Sequence, residues 1–105
     1  MRRPTSPIKA AADRAAKHSR GDRQIVQRLP TVQIPLDQIE PHLCTSVSAV
    51  RRYTAMFRAG ADVEPILIER SGPGYLYPFQ IYNGAHRRQA ASLAGRTVID
   101  AKIVG

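Results

Sequence analysis

The chain has 105 residues, 43% of them hydrophobic, with a net charge of +8 and one cysteine, Cys44. That is enough for one small domain. It excludes an internal disulfide, a secretory leader and any apolar run near the roughly 20 residues of a membrane span. A lone cysteine fits a reducing cytoplasm, so a cytoplasmic protein with no membrane partner is expected.

The charge is unevenly placed. Residues 1–28 carry Arg2, Arg3, Lys9, Arg14, Lys17, Arg20, Arg23 and Arg28 against Asp13 and Asp22, whereas residues 29–105 are nearly balanced. Residues 1–28 therefore read as a basic, Ala-rich arm, partly helical or disordered. Ser6-Pro7 suits a helix start. The stretch from Ile8 to His18 has good helix propensity but a thin apolar face, and Gly21 ends it. Such an arm holds a polyanion by neutralising phosphates and releasing counterions. A plain solubilising leader is the alternative use.

Residues 29–105 read as one folded domain. Val32 and Ile34 alternate with Gln33 and Pro35, a short strand. Leu36-Asp37-Gln38-Ile39 is a helical turn or connector. Ser46 or Ser48 can cap a helix reaching Ala59, in which Val50, Tyr53 and Phe57 share one face and Arg51, Arg52 and Arg58 lie mostly off it. Gly60 closes that helix. Ile66-Leu67-Ile68 is a buried strand, and Ser71-Gly72-Pro73-Gly74 a turn. The strand returning from Tyr75 to Tyr82 is broken by Pro78, which argues for an edge position or a bulge. A helix then runs from about His86 to Ala94 and stops at Gly95. Thr97 to Val104 supplies the last strand. The class is α+β, a small mixed sheet with two or three packed helices.

The segment Asn83-Gly84-Ala85-His86-Arg87-Arg88 joins the strand Phe79–Tyr82 to that final helix. A glycine there lets the backbone approach a ligand. Helix amides and the dipole favour an anion at the same place. Basic side chains are electrostatically out of place in a first helical turn, so three of them suggest a phosphate-binding corner at Asn83, Gly84, Ala85, His86 and Arg87. Arg88 is expected to point elsewhere, toward solvent or DNA, and Arg51 and Arg52 to offer a DNA-facing stripe. The competing reading is a turn with solvated arginines. His18, His42, His86 and Cys44 lack ligand spacing, so no metal site is expected. Cys44 reads as a small buried hydrophobe. Tyr75, Tyr77 and Tyr82 read as packing residues more readily than as base-stacking platforms.

From about Thr31 to Val104 the chain resembles the ParB/sulfiredoxin superfamily. "VQIPLDQIEP" resembles the family's first strand and Ile-x-Pro. Val50-x-x-Tyr53-x-x-x-Phe57 with Gly60 and Glu64-Pro65-Ile66 resembles its helix leading to Pro-Ile. "IYNGAHRRQAASLAGRTVIDAKIV" resembles its strand, glycine corner, Arg-bearing helix and last strand. The resemblance implies nucleotide phosphates, of ATP or CTP with Mg²⁺, at Gly84, His86 and Arg87. It also exposes departures. Ala85 stands where CTP-binding ParB proteins have the glutamate of Gly-Glu-Arg-Arg and where sulfiredoxins have the cysteine of Gly-Cys-His-Arg. Ala49, Arg52 and Met56 stand where sulfiredoxins use Lys, Ser and Thr for ATP, which argues against sulfinic acid reduction. The free-serine-kinase branch has a carboxylate just after Pro-His, where this chain has Leu43.

The expected function is a ParB-like DNA-associated module with a nucleotide-phosphate pocket, in a plasmid, phage, partition or regulatory setting. It would touch DNA mainly through phosphates, with a protein partner or homodimer as further possibilities. The alternatives are a ParB-like nuclease or nucleotide-dependent phosphotransferase, and a protein-interaction module without ligand. An enzyme is the less favoured reading, because the corner supplies cations and no acid.

Overall fold

The computed structural model describes residues 26–105. In chain order it contains β1 (Val32–Pro35), a 3₁₀ turn (Leu36–Gln38), α1 (Val47–Arg58), β2 (Ile66–Arg70), β3 (Phe79–Asn83), α2 (Ala85–Leu93) and β4 (Val98–Ile103). The four strands form one sheet in the order β1-β4-β2-β3. β1 with β4 and β2 with β3 are antiparallel, while β2 and β4 run parallel in the centre. A mixed sheet results because β2 and β3 are joined by a hairpin, whereas β3 returns to β4 through α2.

Alternation along the strands decides which face is buried. Ile34, Ile99, Ala101, Ile66, Ile68 and Ile81 are buried, and Ala91 of α2 joins them in the core with Phe57 of α1 packed against it. Ile39, Ile66 and Ile68 are completely enclosed. Burying a side chain of that size is worth about 1.5–3 kcal/mol, so these three anchor the domain. Ala101 is central by register, facing Val32 of β1 and Ile66 of β2.

Element ends follow local chemistry. Ser46 caps α1, its Oγ accepting from the Ala49 N–H at 3.2 Å. α2 starts one residue earlier than the sequence suggests and reaches Leu93, with Ala94 as its C-cap. The strand expected from Tyr75 instead begins at Phe79. Pro78 has no N–H to give a ladder, and its carbonyl accepts from the Ser71 N–H at 2.8 Å, which closes residues 71–78 as a loop. β3 does lie at a sheet edge, and its pairing with β2 shifts register between Leu67 and Ile68. The outer side of that edge meets the connector at its first residue. Ile39 bridges Phe79, and the Glu40 N–H donates to the Phe79 carbonyl at 3.0 Å.

The root of the arm is attached to the domain. Lys102 Nζ donates to the carbonyls of Gln27 at 2.9 Å and Val26 at 3.4 Å. The helix expected over Ile8–His18, and the arm residues Arg2, Arg3, Lys9, Arg14, Lys17, Arg20 and Arg23, lie outside the described residues.

Candidate functional site

Gly84 is the N-cap of α2, with φ of 120° and no side-chain cap at this helix start. Its need for glycine is structural. A Cβ here would overlap the Ile66 side chain, coming within 2.7 Å of the Ile66 Cβ, and the φ is one that other residues rarely adopt. The corner is therefore drawn tight against the core. The first helical bond runs from the Arg88 N–H to the Gly84 carbonyl at 2.9 Å. The amides of Ala85, His86 and Arg87 consequently have no acceptor within the helix.

His86 holds this corner to the neighbouring helix. Its Nε2 accepts from the Ser46 N–H at 3.1 Å, which makes Nε2 the unprotonated nitrogen in this arrangement. Beside it, the Cys44 thiol donates to the Ala85 carbonyl at 3.3 Å. The loop before α1 is thus folded onto the first turn of α2, and the two helix starts lie side by side. Sequence separation concealed this. Cys44 and Ala85 are 41 positions apart, and neither shows a periodic signal that would pair them.

Arg87 is only 8% exposed. Its Nη1 donates to the carbonyls of Glu64 at 2.8 Å and Pro65 at 3.0 Å, and its Nη2 donates to Asn83 Oδ1 at 3.2 Å. The guanidinium therefore ties the run into β2 to the end of β3. The Glu64 carboxylate lies 3.8 Å from Nη1 but is 87% exposed, so this ion pair adds little beside the carbonyl bonds. Asn83, expected to belong to the phosphate-binding corner, is an acceptor for Arg87.

Arg88 corrects the sequence expectation outright. It does not face solvent or DNA. It is 9% exposed, and its Nη2 donates to the carbonyls of Leu36 at 3.0 Å and Ile39 at 2.9 Å. The reason is helical phase, which turns position 88 inward against the 3₁₀ turn. Arg51 and Arg52 are exposed, as expected, with Arg52 lying over the Tyr53 ring at 5.1 Å. Arg58 and Arg96 are used across the helix pair, donating to the carbonyls of Leu93 at 3.3 Å and Phe57 at 2.7 Å. Tyr75 and Tyr82 are each 40% exposed.

Two of the five corner residues, Asn83 and Arg87, are thus spent on the protein itself, and His86 links two helices. What the corner presents is backbone: uncapped amides at the positive end of α2, adjoining the start of α1. Among the described residues no group of three His, Cys, Asp or Glu is placed to hold a metal ion. No described helix is long and apolar enough to cross a membrane.

No family model matches the sequence, and neither does any curated protein. Solved structures do match in fold. The chromosome-partitioning protein ParB from Caulobacter crescentus, complexed with CTP-gamma-S, superposes with a TM-score of 0.59 at 20% identity, over 70% of this chain and 43% of that one. Sulfiredoxin from Arabidopsis thaliana gives 0.57 at 23% identity, over 70% of this chain and 83% of that one. A free serine kinase in complex with AMP gives 0.61 at 22% identity, over 72% and 31%. The described chain therefore has a ParB/sulfiredoxin-like fold. It spans less than half the length of the ParB chain that it matches.

Proposed function

We propose that this protein is a ParB-like, DNA-associated module that seats nucleotide phosphates at the Gly84–Arg87 corner and touches DNA through its basic arm. One observation carries the corner: the starts of α1 and α2 are fastened together by the His86–Ser46 bond, and the first-turn amides of α2 have no side-chain cap. Amides at a helix start, with the dipole behind them, are suited to a phosphate. Solved proteins of the same fold are complexed with CTP-gamma-S, AMP and ADP. A ParB structure holds the centromeric parS site, which supports the DNA half of the reading.

In this reading Arg87 and Asn83 shape the corner, and His86 either supports it or turns to the ligand. Mg²⁺ would come with the phosphates, since positions 83–87 hold no carboxylate. The test is a thermal-shift panel of ATP, ADP, CTP and GTP, with and without Mg²⁺. Stabilisation by a nucleotide, reduced in His86→Ala, is expected. No shift with any of the four would remove the pocket. That result would favour a second reading, a protein-interaction module without ligand, for which the internal use of Arg87 and Asn83 already speaks. The DNA half is tested separately by titrating a duplex at several salt concentrations. Affinity should fall steeply with salt, and an affinity indifferent to salt would refute it.

A further inference from the structure

Arg88 leaves an electrostatic question that the corner does not answer. An arginine remains charged in a protein, and enclosing a charge without a partner is unfavourable. Arg88 is 9% exposed, and its Nη2 donates to two carbonyls. Its Nε is buried with no partner among the described residues. Nor is it paired with an acid, since Arg87–Glu64 is the one ion pair among the described residues.

Beside this guanidinium lies an open groove of about 560 Å³ between the β1–3₁₀ corner and α2. Arg88, Ser92 and Arg96 line one wall, with Thr97 and Val98 nearby and Asp37 on the opposite wall. Positions 88 and 92 are four apart on α2 and share one face, while Arg96 follows the helix end past Gly95, whose φ is 80°, and its Nη2 also donates to the Phe57 carbonyl. Two arginines, a serine and a threonine therefore border a single concavity. That donor set matches the several acceptor oxygens of a tetrahedral oxyanion, which guanidiniums engage with charge-assisted bonds.

We propose that the groove walled by Arg88, Ser92 and Arg96 is an oxyanion seat for a phosphate-class group, separate from the Gly84–Arg87 corner. The anion supplies the counter-charge that Arg88 lacks. Asp37 opposes it from the facing wall and keeps affinity low enough for exchange. The phosphate group comes either free in solution or as part of a nucleic-acid backbone, and both present the same oxygens.

The test titrates inorganic phosphate into amide-labelled full-length protein at constant ionic strength, following backbone NMR signals. Wild type should show saturable shifts at Ser92–Thr97. Arg96→Gln, an exposed substitution, should weaken binding about tenfold, and Asp37→Asn should tighten it about threefold, in line with single charge-assisted contacts. A chase with a short duplex or with pyrophosphate identifies the source: displacement by the duplex marks a backbone phosphate, displacement by pyrophosphate alone a free one. Shifts confined to Ala85–Arg87 would overturn the groove while leaving the corner standing. Wild-type affinity in both variants, or no saturable response, would also overturn it.

Discussion

Arg87 and Arg88 are neighbours in sequence, equal in charge and equally buried, yet α2 turns them to different tasks. Arg87 distributes both terminal nitrogens over three acceptors and closes the joint between the run into β2 and the end of β3. Arg88 gives one nitrogen to two carbonyls and leaves its buried Nε without a partner among the described residues. The lesson concerns availability. A cation in a motif can serve a ligand only to the extent that the fold has not already satisfied its donors, and one residue of helical phase decides that here.

The comparison can be broken most forcefully at Gly84, on which the position of both arginines depends. Gly84→Ala adds a Cβ into Ile66 and forces a residue with a side chain to φ of 120°. A loss of about 3 kcal/mol or more is expected, read from urea unfolding, because overpacking and backbone strain act together. Next come the arginines themselves. Arg87→Ala should lose about 2–3 kcal/mol, since the half-buried carbonyls of Glu64 and Pro65 are left without a donor. Arg88→Met, which keeps the apolar stem, should lose about 1–2 kcal/mol, because removing an unpaired buried charge offsets part of the lost bonding. If chemical denaturation ranks Arg88→Met as the more damaging, the contrast between a satisfied and an unsatisfied guanidinium is mistaken.

Smaller changes sharpen the picture. His86→Ala removes the acceptor for the Ser46 N–H and should cost about 1 kcal/mol, with amide exchange quickened at Ser46 more than in β2. Glu64→Gln should change the unfolding midpoint little, by less than about 0.5 kcal/mol, because its carboxylate is mostly solvated and Arg87 relies on the carbonyl. A large effect from this last change would shift the weight at Arg87 from backbone to ion pair.

These assignments also show where sequence reasoning reaches and where it stops. Alternation in Val32–Pro35, the cap at Ser46, the three- and four-residue spacing of Val50, Tyr53 and Phe57, and the break at Pro78 each act within a few residues. Local chemistry of that kind predicts elements and their ends well. The resemblance to ParB and sulfiredoxin, carried by the run from Ile81 to Val104, led to the right fold. The destinations of Arg87 and Arg88 were not legible, because their acceptors, Pro65 and Ile39, lie 22 and 49 positions away. The same holds for Gly84. Sequence offered a reason facing outward, toward a ligand, whereas the structure supplies one facing inward, toward Ile66.

The bridge between the connector and β3 has a further consequence for how copies of this molecule behave when crowded. The sheet has two margins. One is β3, whose opening residue is already engaged by Ile39 and Glu40, and the other is β1, four residues long and finished by a proline. Among the described residues each margin thus offers only a short run of open backbone, a poor template for an added strand from a second molecule.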